Sequence, residues 1–377
     1  MSLGASLSFE KEKTVKVEYM KFKGLLFSLI ALTIALGLLV SCSFSSILPS
    51  DKEKDPETKA KSYYEFFDTV SVIISYKGDG AEEFSENCNE VSSLLSDYHK
   101  LFDIYYEYEG VNNIKTINKN AGREPVKVDE RLIDFLLYCK EIYTLTGGKT
   151  NVAMGSVLKL WHDERERYDP DCPEEAKLPS TEALNAAKAH TDINSLIIDK
   201  EAGTVLISDP KMRLDVGAVG KGYATEKAAE LLINKGVKSY VLNIGGNIVT
   251  IGTKPSGDGW DTGITNPDKS SSEPFVCRVK IKDTSLVTSG NYERFYVVDA
   301  VPYHHIIDPE TLMPANYFAS VSIFVKDSAL ADALSTALFC MNYEDGKALA
   351  ESLGADVIWV RPDGQVLMTE GIELTNK

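Results

Sequence analysis

The chain is poor in the side chains that form disulfide frameworks and zinc sites. It has six cysteines and five histidines in 377 residues, and no two cysteines form a Cys-x-x-Cys pair. This spacing argues against both kinds of scaffold. Basic residues are also in the minority, with 40 Lys and Arg against 56 Asp and Glu and a net charge of −16. Such a surface repels phosphate backbones, which argues against a general nucleic-acid binder.

Long apolar runs are missing except for one near the N-terminus. Residues 24–40 are apolar and uncharged, follow Lys21 and Lys23, and lead into the letters LVSC, which end at Cys42. This layout predicts a signal peptide over residues 1–41, with residues 1–19 as an N-terminal extension, and a lipid on Cys42. An uncleaved membrane helix is the alternative interpretation. Both place the rest of the chain outside the cytoplasm, and the first anchors it to the cell membrane as a lipoprotein.

The next segment, residues 42–62, is polar and interrupted by proline, which predicts a flexible tether. A globular body is expected over residues 63–377. Without residues 1–41 the chain keeps 35 basic and 53 acidic residues, a net charge of −18. The body is long enough for two tightly fused lobes.

Within the body, strands and helices intermix without a regular alternation. Residues 63–76 alternate as one strand, and apolar residues at helical spacing predict helices over 84–101 and 130–145. The charged residues 162–179 resemble a surface excursion. Short strands dominate from Leu196 onward, and two helices are expected near 328–341 and 344–353. The pattern predicts an α+β fold with mixed sheets and no internal repeat.

Two glycine-rich stretches mark places where backbone could approach a ligand. A helix is expected to begin within LDVGAVGKGYA, at or just after Gly217, Gly220, Lys221 and Gly222. The free N–H groups at the start of a helix can bind an anion. The spacing matches neither GxxxxGK[ST] nor GxGxxG, so a tight structural turn is the alternative.

The second glycine stretch, LNIGGNIVTIG, places Gly245 and Gly246 between two strands. Asn243 and Asn247 flank this pair, and their amides could bind the edge of a flavin or a purine. Paired glycines between strands are also typical of a tight turn.

Two further stretches carry side chains suited to catalysis. In YHHIIDPETLMPA, an Asp-Pro turn holds His305 near Asp308, so the histidine could exchange a proton while the carboxylate orients it. In DSALADALSTALF, Asp332 and Thr336 lie one helical turn apart. Their oxygens could hold Mg²⁺ together with substrate phosphates, and a buried Asp–Thr hydrogen bond is the alternative.

Together, in this order, the stretches resemble the ApbE family of FAD:protein FMN transferases. The resemblance includes FFDTVSVII, LFDIY, GGKTNVAMGSVLKLW, LDVGAVGKGYA, LNIGGNI, VTSGNYERF, HHIIDP and ADALSTALF. It implies a T-fold-like α+β body with FAD in a cleft between two lobes. It also implies transfer of FMN to a threonine of an acceptor flavoprotein, with release of AMP and with Mg²⁺ bound. The acceptor could be a subunit of a membrane redox complex.

The resemblance also implies residue roles. The metal ligands would be the carbonyl of Ala218 and the side chains of Asp332 and Thr336. Tyr105 would stack on the flavin, although the adjacent Tyr106 leaves the register open. His305 would be the base, oriented by Asp308. The remaining cofactor-binding residues would be Lys221, Gly220, Gly222, Asn243, Gly245 and Gly246.

The chain departs from the family pattern in two places. Ala218 and Val219 stand where relatives often have Gly-Gly-Ile-Ala, and Asn151 occupies a position that is often acidic. The same site could hydrolyse FAD to FMN and AMP, which is one alternative function. A flavin-binding lipoprotein without catalysis is another. The sequence has no Ser/Thr-Gly-Ala-Thr acceptor signature, so the acceptor is expected to be a separate protein.

Overall fold

The computed structural model describes residues 58–76 and 79–375, which form an α+β fold. The predicted signal peptide and Cys42 therefore lie outside the described residues. Among the residues described, no helix has the length and apolar character needed to cross a membrane. The α-helices are α1 (Ala81–Phe102), α2 (Ile114–Lys119), α3 (Glu130–Leu145), α4 (Gly155–Arg167), α5 (Thr181–Lys188), α6 (Gly220–Asn234), α7 (Ser328–Phe339) and α8 (Tyr343–Ser352).

The strands are β1 (Thr58–Phe66), β2 (Thr69–Tyr76), β3 (Val126–Lys127), β4 (Leu196–Asp199), β5 (Thr204–Ile207), β6 (Ser239–Ile244), β7 (Asn247–Gly252), β8 (Trp260–Thr265), β9 (Phe275–Ile281), β10 (Ser285–Gly290), β11 (Phe295–Val298), β12 (Val301–His304), β13 (Ser320–Val325), β14 (Asp356–Val360), β15 (Val366–Met368) and β16 (Leu374–Thr375). The main sheet has eight strands in the order β1-β2-β6-β7-β10-β13-β14-β15. Three smaller sheets have the orders β16-β9-β8, β3-β5-β4 and β11-β12.

The strand pairs within the described sheets are antiparallel, so the expectation of mixed sheets was wrong in this respect. Some adjacent strands are joined by tight hairpins, as β6 and β7 are, and others by longer connections, such as the pair of helices between β13 and β14. Both connections return the chain in the opposite direction. The predicted division into two lobes stays a prediction, because the unit from Asp55 to Lys377 is a single compact one.

The start of the body differs from the prediction in two ways. The predicted strand 63–76 is a hairpin of β1 and β2, with Phe67 and Asp68 in its turn at φ 53° and 52°. Positive φ is rare for a phenylalanine, so the alternating pattern gave no sign of a turn there. Strand β1 also begins at Thr58, five residues inside the predicted tether. Its pairing with β2 makes these residues part of the folded body.

The predicted surface excursion was also partly wrong. Helix α4 continues through its charged end to Arg167, and Trp161 is buried within it. The indole Nε1 of Trp161 donates to the carbonyl of Leu312 at 2.9 Å, which fixes the helix against the loop that follows β12. Charged residues can occupy the exposed face of a helix as readily as a surface loop. Their composition alone therefore placed the end of α4 too early in the chain.

Helices α6 and α7 cross at the centre of the molecule. A Cβ atom at Gly222 would lie 2.3 Å from the Cβ of Asp332 and 2.4 Å from the carbonyl oxygen of Ser328, so only glycine permits this approach. One turn later, Glu226 Oε2 accepts a hydrogen bond from the Ser328 amide at 2.7 Å. Helix α7 contributes to two hydrophobic cores, with Ala329 and Ala333 in one and Leu334 and Leu338 in the other. Its burial on both sides explains its alanine-rich sequence.

Candidate active site

The crossing of α6 and α7 places Asp332 at the start of α6. The amide of Gly222 donates to Asp332 Oδ2 at 2.7 Å, and the residue is only 5% exposed. Burial raises the pKa of Asp332 above its ordinary value, while nearby Lys221 acts in the opposite direction. A buried carboxylate in this setting gains stability from a cation beside it.

Asn247 brings the β6–β7 turn to the same place. It lies close enough to Asp332 to lower the pKa of that carboxyl. The interaction is a hydrogen bond from the Asn247 side chain, but the buried Nδ2 forms no hydrogen bond of ordinary length and angle among the described residues. A ligand oxygen placed nearby would therefore give this weakly bonded donor a better partner. The helix start, the strand turn and α7 therefore converge at one point, as three of the four sequence stretches predicted.

The residues around Asp332 fit a magnesium ion. Asp332 Oδ2 is bonded to Gly222, which leaves Oδ1 as a ligand, and Thr336 lies one turn further along α7. Ala218 lies in the turn before α6, four residues from Gly222. No cluster of three or more His, Cys, Asp or Glu side chains able to hold a metal occurs in residues 58–76 and 79–375. A cation here would therefore depend on one carboxylate, neutral oxygens, water and substrate phosphate, which suits Mg²⁺.

Two glycines predicted to bind phosphate have a different role. The Gly220 amide donates to the carbonyl of Val216 at 2.8 Å, and the Gly222 amide donates to Asp332. A Cβ atom at Gly220 would lie 3.1 Å from the ring of Phe102. Both amides are thus already bonded, Gly222 has no room for a side chain, and Gly220 has little. Close helix packing therefore explains both glycines, their binding of the cofactor stays a prediction, and Lys221 is the cation at this helix start.

The β6–β7 turn has a structural explanation. Gly245 and Gly246 have φ of 57° and 91°, as a two-residue hairpin turn with both residues at positive φ requires. A Cβ atom at Gly245 would lie 2.4 Å from Thr69 Cγ2, and Asn243 Oδ1 accepts the Gly246 amide at 2.9 Å. The turn therefore accounts for Asn243 and Gly245. Gly246 is exposed, and cofactor binding by these three residues stays a prediction.

His305 is held in one tautomer by a backbone carbonyl. Its Nδ1 lies 3.3 Å from the carbonyl oxygen of Arg294, which can only accept, so Nδ1 carries the proton. Burial of the ring lowers the pKa of His305 to about 3, and the positive charges of Arg294 and Arg165 contribute. At neutral pH the imidazole is thus neutral, and its Nε2 is left as a proton acceptor.

Asp308 does not orient His305, so that prediction was wrong. Asp308 Oδ1 accepts from Lys149 Nζ at 3.2 Å and from the amide of Glu310 at 2.9 Å, and the residue is buried. The pair with Lys149 satisfies a carboxylate that would otherwise be buried alone. The carbonyl of Arg294 takes the orienting role. The neighbouring His304 is also buried, with Nε2 2.8 Å from the Ala315 carbonyl oxygen.

Tyr105 and His305 share the charged neighbours Arg165 and Arg294, and this group of residues is the candidate flavin cleft. The Tyr105 ring meets His162 of α4 edge-on, with centroids 5.4 Å apart, and Tyr105 is 52% exposed. Burial of the hydroxyl raises the pKa of Tyr105, and Asp215 adds to the effect. Arg165 and Arg294 lower the pKa of Tyr105, as they also lower that of His305. The adjacent Tyr106 is 70% exposed and lacks a ring contact among the described residues, and stacking of Tyr105 on a flavin stays a prediction.

Four residues of this cleft escaped the sequence analysis: His162, Arg165, Asp215 and Arg294. Burial raises the pKa of Asp215, whose Oδ1 accepts the Gly217 amide at 3.0 Å. Asp215 directly precedes the glycine stretch, and Arg294 belongs to NYERF, so both stood within quoted motifs. His162 and Arg165 were assigned to a surface excursion instead of to α4.

The chain is similar to proteins of one known family. The ApbE family model matches residues 68–359. The FAD:protein FMN transferase of Treponema pallidum is 35% identical over 320 residues, which cover 81% of this chain and 85% of the relative. That of Klebsiella pneumoniae is 28% identical over 279 residues, which cover 72% and 84%.

Solved structures are similar as well. The ApbE protein of Thermotoga maritima has a TM-score of 0.71 at 26% identity, covering 83% of this chain and 97% of its own. The flavin transferase ApbE of Vibrio cholerae has a TM-score of 0.70 at 26% identity, covering 83% and 96%. These matches confirm the α+β fold, and they extend over nearly the whole described body. The chain belongs to the ApbE family.

Proposed function

We propose that this protein transfers FMN from FAD to a threonine of an acceptor flavoprotein and releases AMP. The observation that carries the proposal is the state of His305, whose Nδ1 proton is bound to the Arg294 carbonyl and whose Nε2 is free to accept a proton. It shares the neighbours Arg165 and Arg294 with Tyr105, an exposed ring suited to the flat face of a flavin. The relatives named FAD:protein FMN transferase support the same activity.

The proposed reaction is a phosphoryl transfer. The acceptor threonine Oγ bonds to the phosphorus of the FMN half of FAD, and the bond from this phosphorus to the bridging oxygen breaks. AMP leaves with that oxygen, and the threonine proton moves to His305 Nε2. Positioning and charge neutralisation supply most of the rate in such reactions. Among the described residues, no carboxylate forms an ion pair with Arg165 or Arg294, so both remain available to an anionic substrate.

We further propose that the carbonyl of Ala218 and the side chains of Asp332 and Thr336 hold Mg²⁺. The ion would neutralise charge on the pyrophosphate when bound. Lys221 adds positive charge near Asp332. The buried Asn247 Nδ2, which forms no hydrogen bond of ordinary geometry among the described residues, could donate to an oxygen of the bound substrate. The chain thus supplies a donor and a cation for the phosphates beside the metal ligands.

For the cellular location, we propose a lipoprotein anchored by Cys42 outside the cytoplasm. The support is the order of two lysines, an apolar run and a small residue before this cysteine. Residues 1–41 would be removed, and residues 43–57 would connect the lipid to β1. The acceptor is then expected to lie at the membrane or in the same compartment.

The test measures the mass of an acceptor domain that carries a threonine motif. The full chain in detergent is incubated with FAD, Mg²⁺ and the acceptor. We expect the acceptor to gain one FMN, and we expect EDTA or Asp332→Ala to prevent the gain. His305→Ala should bind FAD normally and transfer at least 100-fold more slowly. His190→Ala is the matched control, since His190 bonds Asp209 instead of a site residue.

The other outcomes assign the alternative functions. FAD cleaved to FMN and AMP without an adduct would show a pyrophosphatase. FAD bound but uncleaved, with or without Mg²⁺, would show a binding protein. A His305→Ala protein that transfers at the full rate would disprove the assigned base while leaving the reaction itself in place.

A further inference from the structure

The loop that carries Tyr105 is fastened to the carboxylate of Asp103. Asp103 Oδ1 accepts hydrogen bonds from the amides of Tyr105 at 2.6 Å and Tyr106 at 3.0 Å. Asp103 Oδ2 accepts the hydroxyl proton of Tyr108 at 2.7 Å. The Asp103 side chain, at the end of α1, therefore fixes the backbone that carries the exposed Tyr105 ring. Asp103 is in turn held in place by the Tyr108 hydroxyl.

The hydrogen bonds continue from Tyr108 to the β1–β2 turn. Tyr108 Oη lies 3.4 Å from His99 Nε2, and His99 Nδ1 accepts the amide of Phe67 at 3.2 Å. Because Nδ1 accepts, a neutral His99 carries its proton on Nε2, where it points to Tyr108. Phe67 is the residue with φ of 53°, and its ring meets His99 edge-on at 5.6 Å. The loop is thus connected to the main sheet.

A buried asparagine holds the other side of the loop. Asn113 is fully buried, and its Nδ2 donates to the carbonyls of Tyr106 at 2.9 Å and Lys100 at 3.0 Å. Its Oδ1 caps α2 by accepting the amide of Thr116 at 3.0 Å. Asp103 therefore accepts from the two amides of the loop, and Asn113 donates to its Tyr106 carbonyl. The Tyr105 ring stays half exposed beside α4.

We propose that Asp103 is a positioning residue that holds the Tyr105 ring ready to stack on the flavin, with Tyr108 and His99 supporting it. The inference rests on the proposed function, since it needs FAD in the cleft. An exposed ring on a free loop would lose backbone freedom when it stacks, and this loss would weaken binding. A loop already fixed by Asp103 avoids that loss, so the carboxylate contributes to FAD affinity through Tyr105 without touching FAD.

The test is a double-mutant cycle on FAD binding, measured as quenching of flavin fluorescence with the full chain in detergent and Mg²⁺ present. Tyr105→Ala should weaken binding roughly 10-fold by loss of stacking. Asp103→Ala should weaken it several-fold. Adding Asp103→Ala to Tyr105→Ala should change nothing further, because Asp103 acts only through the ring. In transfer assays Asp103→Ala should raise KM for FAD more than it lowers kcat.

Two more variants sharpen the comparison. Tyr108→Phe removes only the hydroxyl that bonds Asp103, so it should give a smaller weakening that also vanishes without the Tyr105 ring. If Asp103→Ala does not fold, Tyr108→Phe tests the positioning role in its place. Asp268→Ala is the matched control, because Asp268 Oδ1 likewise accepts an amide two residues on, that of Ser270 at 2.9 Å, in an exposed loop. It should leave FAD binding unchanged.

The outcomes separate this inference from the proposed function. Equal weakening by Asp103→Ala with and without the Tyr105 ring, or no weakening at all, would overturn the positioning role while FAD binding and transfer stand. A wild-type protein that binds no FAD would overturn the proposed function and the positioning role together. Non-additive weakening with FAD bound by the wild type is the result that the hydrogen bonds predict.

Discussion

The close crossing of α6 and α7 at Gly222 predicts a large effect from one added methyl group. In Gly222→Ala the new Cβ would lie 2.3 Å from Asp332 Cβ and 2.4 Å from the Ser328 carbonyl oxygen. Both neighbours are on α7, which is buried on two sides. The clash therefore cannot be relieved by rotating a flexible side chain, and the two helices must separate.

Three contributions set the expected magnitude. Alanine in place of glycine inside a helix stabilises by about 1 kcal/mol. Overpacking costs about 1–3 kcal/mol, and the upper end applies here because backbone must move. Separation of the helices also stretches the Gly222 bond to Asp332, and a hydrogen bond to a charged group contributes about 1.5–3 kcal/mol. We expect the free energy of unfolding to fall by roughly 3.5–5 kcal/mol.

Gly346 is the matched control within another helix. A Cβ atom there would lie 3.5 Å from Leu338 Cδ2, an ordinary contact. Gly346→Ala should therefore keep the gain in helix propensity and raise the free energy of unfolding by about 0.5–1 kcal/mol. Urea unfolding followed by circular dichroism measures both variants. If Gly222→Ala were as stable as Gly346→Ala, the reasoning about the crossing would be refuted.

Other predictions concern charge. Burial raises the pKa of Glu226 from 4.5 to about 7, so the folded state holds this proton more tightly than the unfolded chain. The free energy of unfolding should fall by at most about 3 kcal/mol as pH rises through this window, and urea titrations should show Glu226→Gln without that fall. Because the pKa of His305 is lowered to about 3, the transfer rate should not fall as pH drops through 6.5, and a pH–rate profile with a limb there would contradict the lowered pKa of this base. Lys149→Met removes the cation that pairs with the buried Asp308 carboxylate, and it should lower the free energy of unfolding by about 3–5 kcal/mol in urea titrations. The exposed pair at Lys159 is the control, and Lys159→Met should change stability by less than about 0.5 kcal/mol.

The glycine stretch shows how far local sequence reasoning extends. Its spacing correctly indicated that something approaches the backbone closely at Gly220 and Gly222. The approaching groups are Phe102 and α7, which lie more than 100 residues away in the chain, and no phosphate is needed to explain these glycines. Sequence can indicate that a side chain is forbidden at a position, but it does not say which neighbour forbids it.

The histidine loop shows the same limit in a different way. His305 and Asp308 were paired because they are three residues apart and their chemistry matches. The structure instead pairs Asp308 with Lys149, a separation of 159 residues, and orients His305 by the Arg294 carbonyl. A buried carboxylate takes whichever cation the packing brings to it, and sequence distance has little influence on that choice.

The sequence by itself determined the kind of fold, most helices and strands, and the family, because helical and strand periodicity is local and the order of motifs is written in the chain. It also predicted site roles for His305 and Asp332 from their chemistry, and for Tyr105 from the family resemblance. Tertiary structure alone decided which groups face one another: Asn247 beside Asp332, Arg165 and Arg294 around His305, and Asp103 beneath Tyr105. These contacts join elements distant in sequence, and they depend on how side chains fill a shared interior, which no local pattern specifies.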